Sequence, residues 1–128
     1  MAWQDIALTT AGLIGAGIAV LHGVLLQRMM VKPFRAIPHT GMVKPIERLF
    51  APLAHFSTFN WFIGGLALIV VAMGAAPQAR LAVGLLVGSS YLFATLASLW
   101  GTRGKHPGWI AMAAALILIA VGVQAPGA

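Results

Sequence analysis

Residues 49–79 read LFAPLAHFSTFNWFIGGLALIVVAMGAAPQA and contain no Asp, Glu, Lys or Arg. Residues 6–27, 81–101 and 106–128 also lack these charges. Each stretch offers about 20 predominantly apolar residues, the length of helix that crosses a hydrocarbon core of about 30 Å. The sequence therefore predicts an all-α integral membrane protein with four transmembrane helices in a compact bundle. In a single domain covering 1–128, we place the spans at about residues 6–27, 52–76, 81–100 and 108–125.

The overall composition supports this fold class. The chain has 128 residues, of which 60% are hydrophobic and 8% charged, and its net charge is +6. A soluble bundle would show charged faces at helical spacing, and a β-barrel would alternate apolar and polar residues, but neither pattern occurs. The chain has no cysteine, which excludes disulfides and thiolate chemistry. We attribute the positive charge to topology and to contact with anionic lipids of the bilayer, and expect no nucleic-acid partner.

Basic residues are unevenly divided between the connections. The first and third connections hold seven of the eight, namely Arg28, Lys32, Arg35, Lys44, Arg48, Arg103 and Lys105. The middle connection holds only Arg80. Because Lys and Arg concentrate in cytoplasmic loops, the pattern predicts that connections 1 and 3 are cytoplasmic and that both termini lie outside. In a bacterium, the corresponding location is the inner membrane.

The first connection also contains a helix signal. Pro45 fits the first turn of a helix, where its missing N–H costs nothing. Apolar residues after it share one face, while Glu47 and Arg48 lie on the other. This pattern predicts a short interfacial helix between spans 1 and 2, before the chain enters the bilayer at Pro52.

Polar side chains gather in the cytoplasmic halves of the spans. At a rise of 1.5 Å per residue, His22 and His55 both lie roughly 6–8 Å below the cytoplasmic boundary. Polar side chains inside a bilayer turn toward protein partners. We therefore predict a cytoplasmic-side polar pocket for a lipid or quinone-like molecule, lined by His22, His55, Thr58, Asn60, Tyr91, Thr95, Ser98 and Trp100.

The loop between the last two spans suits an anionic group. Residues 101–108 read GTRGKHPG and combine glycines, a hydroxyl and basic side chains. Such a loop can hold a phosphate or lipid headgroup, although it lacks the spacing of a P-loop. We assign Arg28, Arg103 and Lys105 to headgroup contacts.

The residue types argue against an enzyme. The only acids are Asp5 and Glu47, so no carboxylate pair exists for general acid–base catalysis. No metalloprotease motif or nucleophile elbow occurs. We predict no catalytic residue, no metal ligands and no resident cofactor. One alternative is an electron-transfer module in which His22 and His55 are the two axial ligands of a haem.

Small residues indicate how the spans associate. Gly12, Gly15 and Ala19 share a face of the first span that admits close approach of another helix. We therefore expect a homo-oligomer or a subunit of a larger membrane complex. The leading hypothesis is an accessory or scaffold-type inner-membrane subunit that carries the pocket. The alternative is a small-solute or proton transporter or channel, built as an oligomer.

A family resemblance agrees with this fold. The chain length, the four spans and the run GGLALI at residues 64–69 resemble small four-helix membrane proteins of the DoxX-like type. The resemblance implies a four-span bundle and assigns no site residue.

Overall fold

In a computed structural model that describes residues 2–38 and 40–124, the chain is helical and has no strand in those ranges. Helix α1 spans Trp3–Leu26. A π-helical turn, Gln27–Val31, and a short helix α2, Lys32–Ala36, continue it without a break. The later helices are α3, Lys44–Ala72, α4, Pro77–Thr102, and α5, Gly108–Gly122.

Three helical segments are long and apolar enough to cross a membrane, namely Trp3–Ala36, Lys44–Ala72 and Pro77–Thr102. The fourth apolar helix, α5, has 15 residues, which makes it about 22 Å long. The predicted fold class is thus confirmed as an all-helical arrangement of three long apolar helices and a shorter fourth. The predicted fourth span reached residue 125, which lies outside the described residues.

The chain between the first two long helices differs from the prediction. Pro45 lies in the first turn of α3, but no separate interfacial helix follows it, because α3 runs unbroken through Pro52. Pro52 removes one backbone hydrogen bond, and a long helix tolerates this loss where its remaining turns stay paired. The short helix of this connection is instead α2, which precedes the turn.

Helices α1, α3, α4 and α5 form a bundle with four corners. Helix α1 packs against α3 and α5, and α4 packs against the same two neighbours, so α1 and α4 stand on a diagonal. One end of the bundle holds Asp5 and Arg80, and we call it the ion-pair end. The opposite end holds the connections with the other basic residues, and we call it the basic end.

Glycines allow the closest helix contact, between α1 and α3. A Cβ atom on Gly65 would lie 2.6 Å from the carbonyl oxygen of Gly12 and 2.8 Å from the backbone nitrogen of Ala16. Only glycine fits this crossing, where the two backbones touch. Gly12, Gly15 and Ala19 are all buried, so the predicted small-residue face packs against helices of its own chain.

Candidate functional site

A cavity of about 940 Å³ extends from the middle of the bundle to its basic end, between α1, α3, α4 and the start of α5. Its volume falls within the range of roughly 300–1,000 Å³ that is typical of ligand pockets. Most of its wall is apolar. The polar residues in the wall are His22, Ser57, Asn60, Ser89, Ser90, Ser98, Thr102 and His106.

The packing around Tyr91 explains why this space is unfilled. Tyr91 of α4 is fully buried, and its hydroxyl donates a hydrogen bond to the carbonyl oxygen of Trp61 at 2.9 Å. It fills the centre of the bundle opposite Gly15, whose missing side chain makes room for the ring. Closer to the basic end, the wall on α4 includes the small side chains of Ala94, Ala97 and Ser98. The diagonal between α1 and α4 is therefore left open there.

The cavity is open at its side, where exposed apolar residues of α3 and α4 lie in its wall. Phe56, Leu86 and Phe93 line it, yet their exposed fractions are 64%, 74% and 75%. Residues that are both lining and exposed mark the rim of the opening. The rim is apolar, so a molecule dissolved in an apolar phase can reach the interior from the side.

The histidine of α1 forms the polar centre of one wall. The Nε2 atom of His22 lies 3.0 Å from the Ser57 hydroxyl, and that hydroxyl donates to the carbonyl oxygen of Ala54 at 3.0 Å. Because the serine hydrogen is used in this way, Nε2 of His22 is the donor and Nδ1 is left as an acceptor. The imidazole also packs against the Trp61 ring, with centroids 4.4 Å apart. These contacts fix the orientation of His22.

A second polar pair lies across the cavity, between α3 and α4. The side-chain nitrogen of Asn60 donates to the Ser90 hydroxyl at 2.6 Å. The amide oxygen of Asn60 is then left to accept from a ligand. Ser98, nearer the basic end, makes no side-chain hydrogen bond within the described chain and is also free to bind a polar group.

The predicted pocket residues divide into two groups. His22, Asn60 and Ser98 line the cavity. Tyr91 and Thr95 are buried in the helix packing instead, and the Thr95 hydroxyl donates to the carbonyl oxygen of Tyr91 at 2.8 Å. These two residues shape the bundle without facing the space.

The other three predicted residues also lie outside the wall. His55 Nε2 is 2.9 Å from Gln27 Oε1, a contact that ties α3 to the π-helical turn. Thr58 packs against Gly23, and its hydroxyl oxygen is buried with no partner in the described part of the chain. Trp100 is 86% exposed at the basic end.

Sequence reasoning missed the wall residues Ser89 and Ser90. The adjacent serines at 89 and 90, inside an otherwise apolar span, were a usable signal. Their hydroxyls can also bond within their own helix, as that of Ser89 does to the carbonyl oxygen of Leu86 at 2.8 Å. Spacing alone therefore could not show which serines face a cavity.

The two histidines of the haem alternative have separate partners. Nε2 of His22 bonds to Ser57 and Nε2 of His55 bonds to Gln27. Of these two histidines, His22 lines the cavity and His55 does not. Among residues 2–38 and 40–124, no group of three or more His, Asp or Glu side chains could hold a metal ion. In this arrangement, both imidazoles serve as hydrogen-bonding groups.

Uncompensated positive charge surrounds the basic end. Lys44 pairs with Glu47 at 3.4 Å. Within the described residues, the other basic side chains at this end have no acidic partner, namely Arg28, Lys32, Arg35, Arg48, Arg103 and Lys105. The end therefore attracts anions.

The connection between α4 and α5 has a defined backbone. Arg103 ends α4 in the left-handed conformation, with φ 52° and ψ 38°. The N–H of Gly104 donates to the carbonyl oxygen of Leu99 at 3.0 Å, and that of Lys105 to Thr102 at 3.1 Å. The Trp109 ring nitrogen donates to the carbonyl oxygen of Gly104 at 3.2 Å. These bonds hold the loop at the end of the cavity.

Comparison of the chain with protein-family models, with curated proteins and with solved structures found no match. The function is therefore inferred from the side chains that line the cavity and from the charges around it. The combination is an apolar, laterally open space with a few fixed polar groups and a cationic end. Such a site suits a molecule that is itself part apolar and part polar.

Proposed function

We propose that this chain is a four-span membrane protein that binds an amphipathic molecule from the bilayer in the cavity. The observation that carries the proposal is that the cavity wall includes apolar side chains that are also exposed on the sides of the helices, such as Phe56, Leu86 and Phe93. A water-soluble ligand would gain nothing from such a rim. A lipid or quinone-like molecule would keep its apolar part in contact with apolar surface throughout its passage.

The charge distribution supports an orientation with the basic end in the cytoplasm, and in a bacterium the location we propose is the inner membrane. Seven of the eight Lys and Arg residues lie at that end, and the eighth, Arg80, is paired with Asp5. Positive charge concentrates on the cytoplasmic side of such proteins. We accordingly place both termini outside and the ligand cavity in the cytoplasmic half of the bundle.

We further propose an accessory or scaffold role without catalysis by this chain alone. Both acids lie away from the cavity wall, since Asp5 pairs with Arg80 and Glu47 with Lys44. The wall then offers histidine, amide and hydroxyl groups, which can orient a ligand by hydrogen bonds. Exposed leucine and phenylalanine side chains along α4 suit contact with lipid, a second copy or a larger complex.

The test is purification in mild detergent followed by native mass spectrometry, lipid extraction and an absorption spectrum. We expect a bound bilayer molecule at fixed stoichiometry in the wild type. Ala97→Phe adds a ring at the rim of the cavity on α4, and we expect the bound molecule to be lost. Ala82→Phe is the matched control, because Ala82 is an exposed alanine of the same helix outside the cavity wall.

Several outcomes would count against the proposal. A wild-type protein that carries no bound molecule, or equal retention by Ala97→Phe and Ala82→Phe, would remove the cavity as a binding site. A Soret band that disappears in His22→Ala would replace it with the haem alternative.

A further inference from the structure

The cavity is long and ends at the cationic loop. On α4, its wall runs from Leu86 to Thr102, which is about 24 Å at 1.5 Å per residue. One leaflet of a bilayer offers an acyl chain roughly 15 Å of hydrocarbon depth, half of the core. The space is therefore long enough for one acyl chain with a headgroup beyond it, and the headgroup would lie beside His106 and Gly108.

The polar groups at this end are mainly donors. The Nδ1 atom of His106 accepts a hydrogen bond from the N–H of Gly108 at 3.1 Å, so a neutral His106 carries its proton on Nε2. The Thr102 hydroxyl donates to the carbonyl oxygen of Ser98 at 2.7 Å and accepts from the N–H of His106. What the loop can offer a ligand is therefore the His106 donor and the adjacent cations, which suits an acceptor such as phosphate.

Two cations stand next to the lining residues of this end. Arg103 directly follows Thr102, and Lys105 directly precedes His106. Both side chains are exposed and have no acidic partner among the described residues. The hydrogen bonds that hold the loop keep their backbone positions fixed at the end of the cavity.

We propose that the ligand is an anionic glycerophospholipid of the bilayer. One acyl chain occupies the cavity, and Arg103, Lys105 and His106 hold the phosphate. This inference rests on the proposed function and adds the charge class of the ligand and the residues that select it. Charge complementarity supports this assignment, because among residues 2–38 and 40–124 no acid lines the cavity and the cations at its end have no acidic partner.

The experiment titrates delipidated full-length protein with phosphatidylglycerol and with phosphatidylcholine of identical chains, followed by native mass spectrometry. We expect the wild type to bind phosphatidylglycerol about tenfold more tightly. The double variant Arg103→Gly with Lys105→Gln should lose that preference and bind both lipids alike. Glycine accepts the left-handed backbone at position 103, so the loop keeps its shape.

The matched control is Lys32→Gln with Arg35→Gln. It removes the same charge at the same end, but neither residue is next to a lining residue. We expect it to retain the preference for phosphatidylglycerol. Equal loss in both double variants would assign the preference to the general charge of this end and overturn the proposed phosphate site.

Other outcomes distinguish a failure of the phospholipid assignment from a failure of the proposed binding function. If both lipids bind equally to the wild type, or a quinone displaces them, the inference fails while the cavity remains a binding site. If neither lipid nor quinone binds, the proposed function fails as well. Inorganic phosphate should compete with the lipid only weakly, at millimolar concentration, and such competition would support a headgroup site. Phosphate binding without any lipid binding would overturn the lipid assignment.

Discussion

Asp5, in the first turn of α1, forms an ion pair with Arg80, in the first turn of α4, although 75 positions separate them in the sequence. The Arg80 side chain also donates to the carbonyl oxygen of Ala72, at 3.2 Å near the end of α3. One guanidinium thus joins three helices at the ion-pair end. The pair also neutralises the only basic residue of the middle connection, which leaves the net positive charge at the basic end.

Breaking this pair should destabilise the bundle. We expect Asp5→Asn to lower the free energy of unfolding by more than the loss of an exposed ion pair does. The reason is that Arg80 stays buried without its counter-charge, whereas Asp5 itself is 20% exposed. The measurement is unfolding in mixed micelles of increasing SDS content, followed by tryptophan fluorescence.

Two further variants make this prediction specific. Arg80→Gln should cost less than Asp5→Asn, because the more exposed carboxylate is the charge left behind. Glu47→Gln breaks the exposed pair with Lys44 and should cost less than about 1 kcal/mol. An Asp5→Asn variant no less stable than Glu47→Gln would contradict a structural role for the Asp5–Arg80 pair.

A methyl group at Gly15 should be far more harmful than one at Gly17. A Cβ atom on Gly15 would overlap the hydroxyl of Tyr91, which is fully buried, whereas nothing lies within 4 Å of a Cβ on Gly17. We expect Gly15→Ala to lower the free energy of unfolding by roughly 1–3 kcal/mol through overpacking. Gly17→Ala should be neutral or stabilising, because alanine is the better helix former.

The cause of the Gly15 effect can be checked with a second substitution. Combining Gly15→Ala with Tyr91→Leu removes the ring that the new methyl group would meet. The double variant should regain part of the stability that Gly15→Ala loses, relative to Tyr91→Leu alone. Fully additive losses would mean that the methyl group and the ring do not meet.

The hydrogen bond between His22 and Ser57 should couple α1 to α3. A double-mutant cycle of His22→Leu and Ser57→Ala should give a coupling of about 0.6 kcal/mol, the average for interhelical hydrogen bonds in membranes. The same cycle for His55 and Gln27, whose bond is exposed, should give a coupling near zero. A larger coupling energy for the His55–Gln27 pair than for the His22–Ser57 pair would contradict this prediction.

The proposed orientation can be tested with introduced cysteines, since the natural chain has none. Thr40 and Gln78 are exposed at opposite ends of the bundle. In intact bacterial cells, we expect Gln78→Cys to react with a membrane-impermeant maleimide, and Thr40→Cys to react only after the membrane is permeabilised. The opposite labelling pattern would invert the topology.

The start of α3 shows how far local sequence patterns could predict the fold. The apolar stretch predicted a span at about residues 52–76, and Pro45 predicted a helix start. Helix α3, Lys44–Ala72, contains Pro45 and most of that span. The prediction of a separate interfacial helix before Pro52 was wrong, because α3 continues through this proline and loses only one backbone hydrogen bond there. A short stretch of sequence can predict that a helix forms, but it does not show whether the stability of the whole helix carries it through a proline.

The candidate site was less predictable than the helices. His22, Asn60 and Ser98 were predicted from polarity and depth and do line the cavity, whereas Ser90 was missed. Polarity and depth can be read along the chain. The rotation of each helix about its own axis cannot be predicted in this way, because these helices are apolar on nearly every side and show little difference between faces.

The sequence by itself determined the apolar helices and the concentration of basic residues at one end, because composition along the chain specifies both. Only the tertiary structure decided which polar groups meet. It brought Asp5 to Arg80 and Asn60 to Ser90, and it left an open space where α4 offers Ala97 and Ser98. The physical reason is that contacts between such apolar helices depend on the fit of small side chains across several helices at once, which no single stretch of sequence specifies.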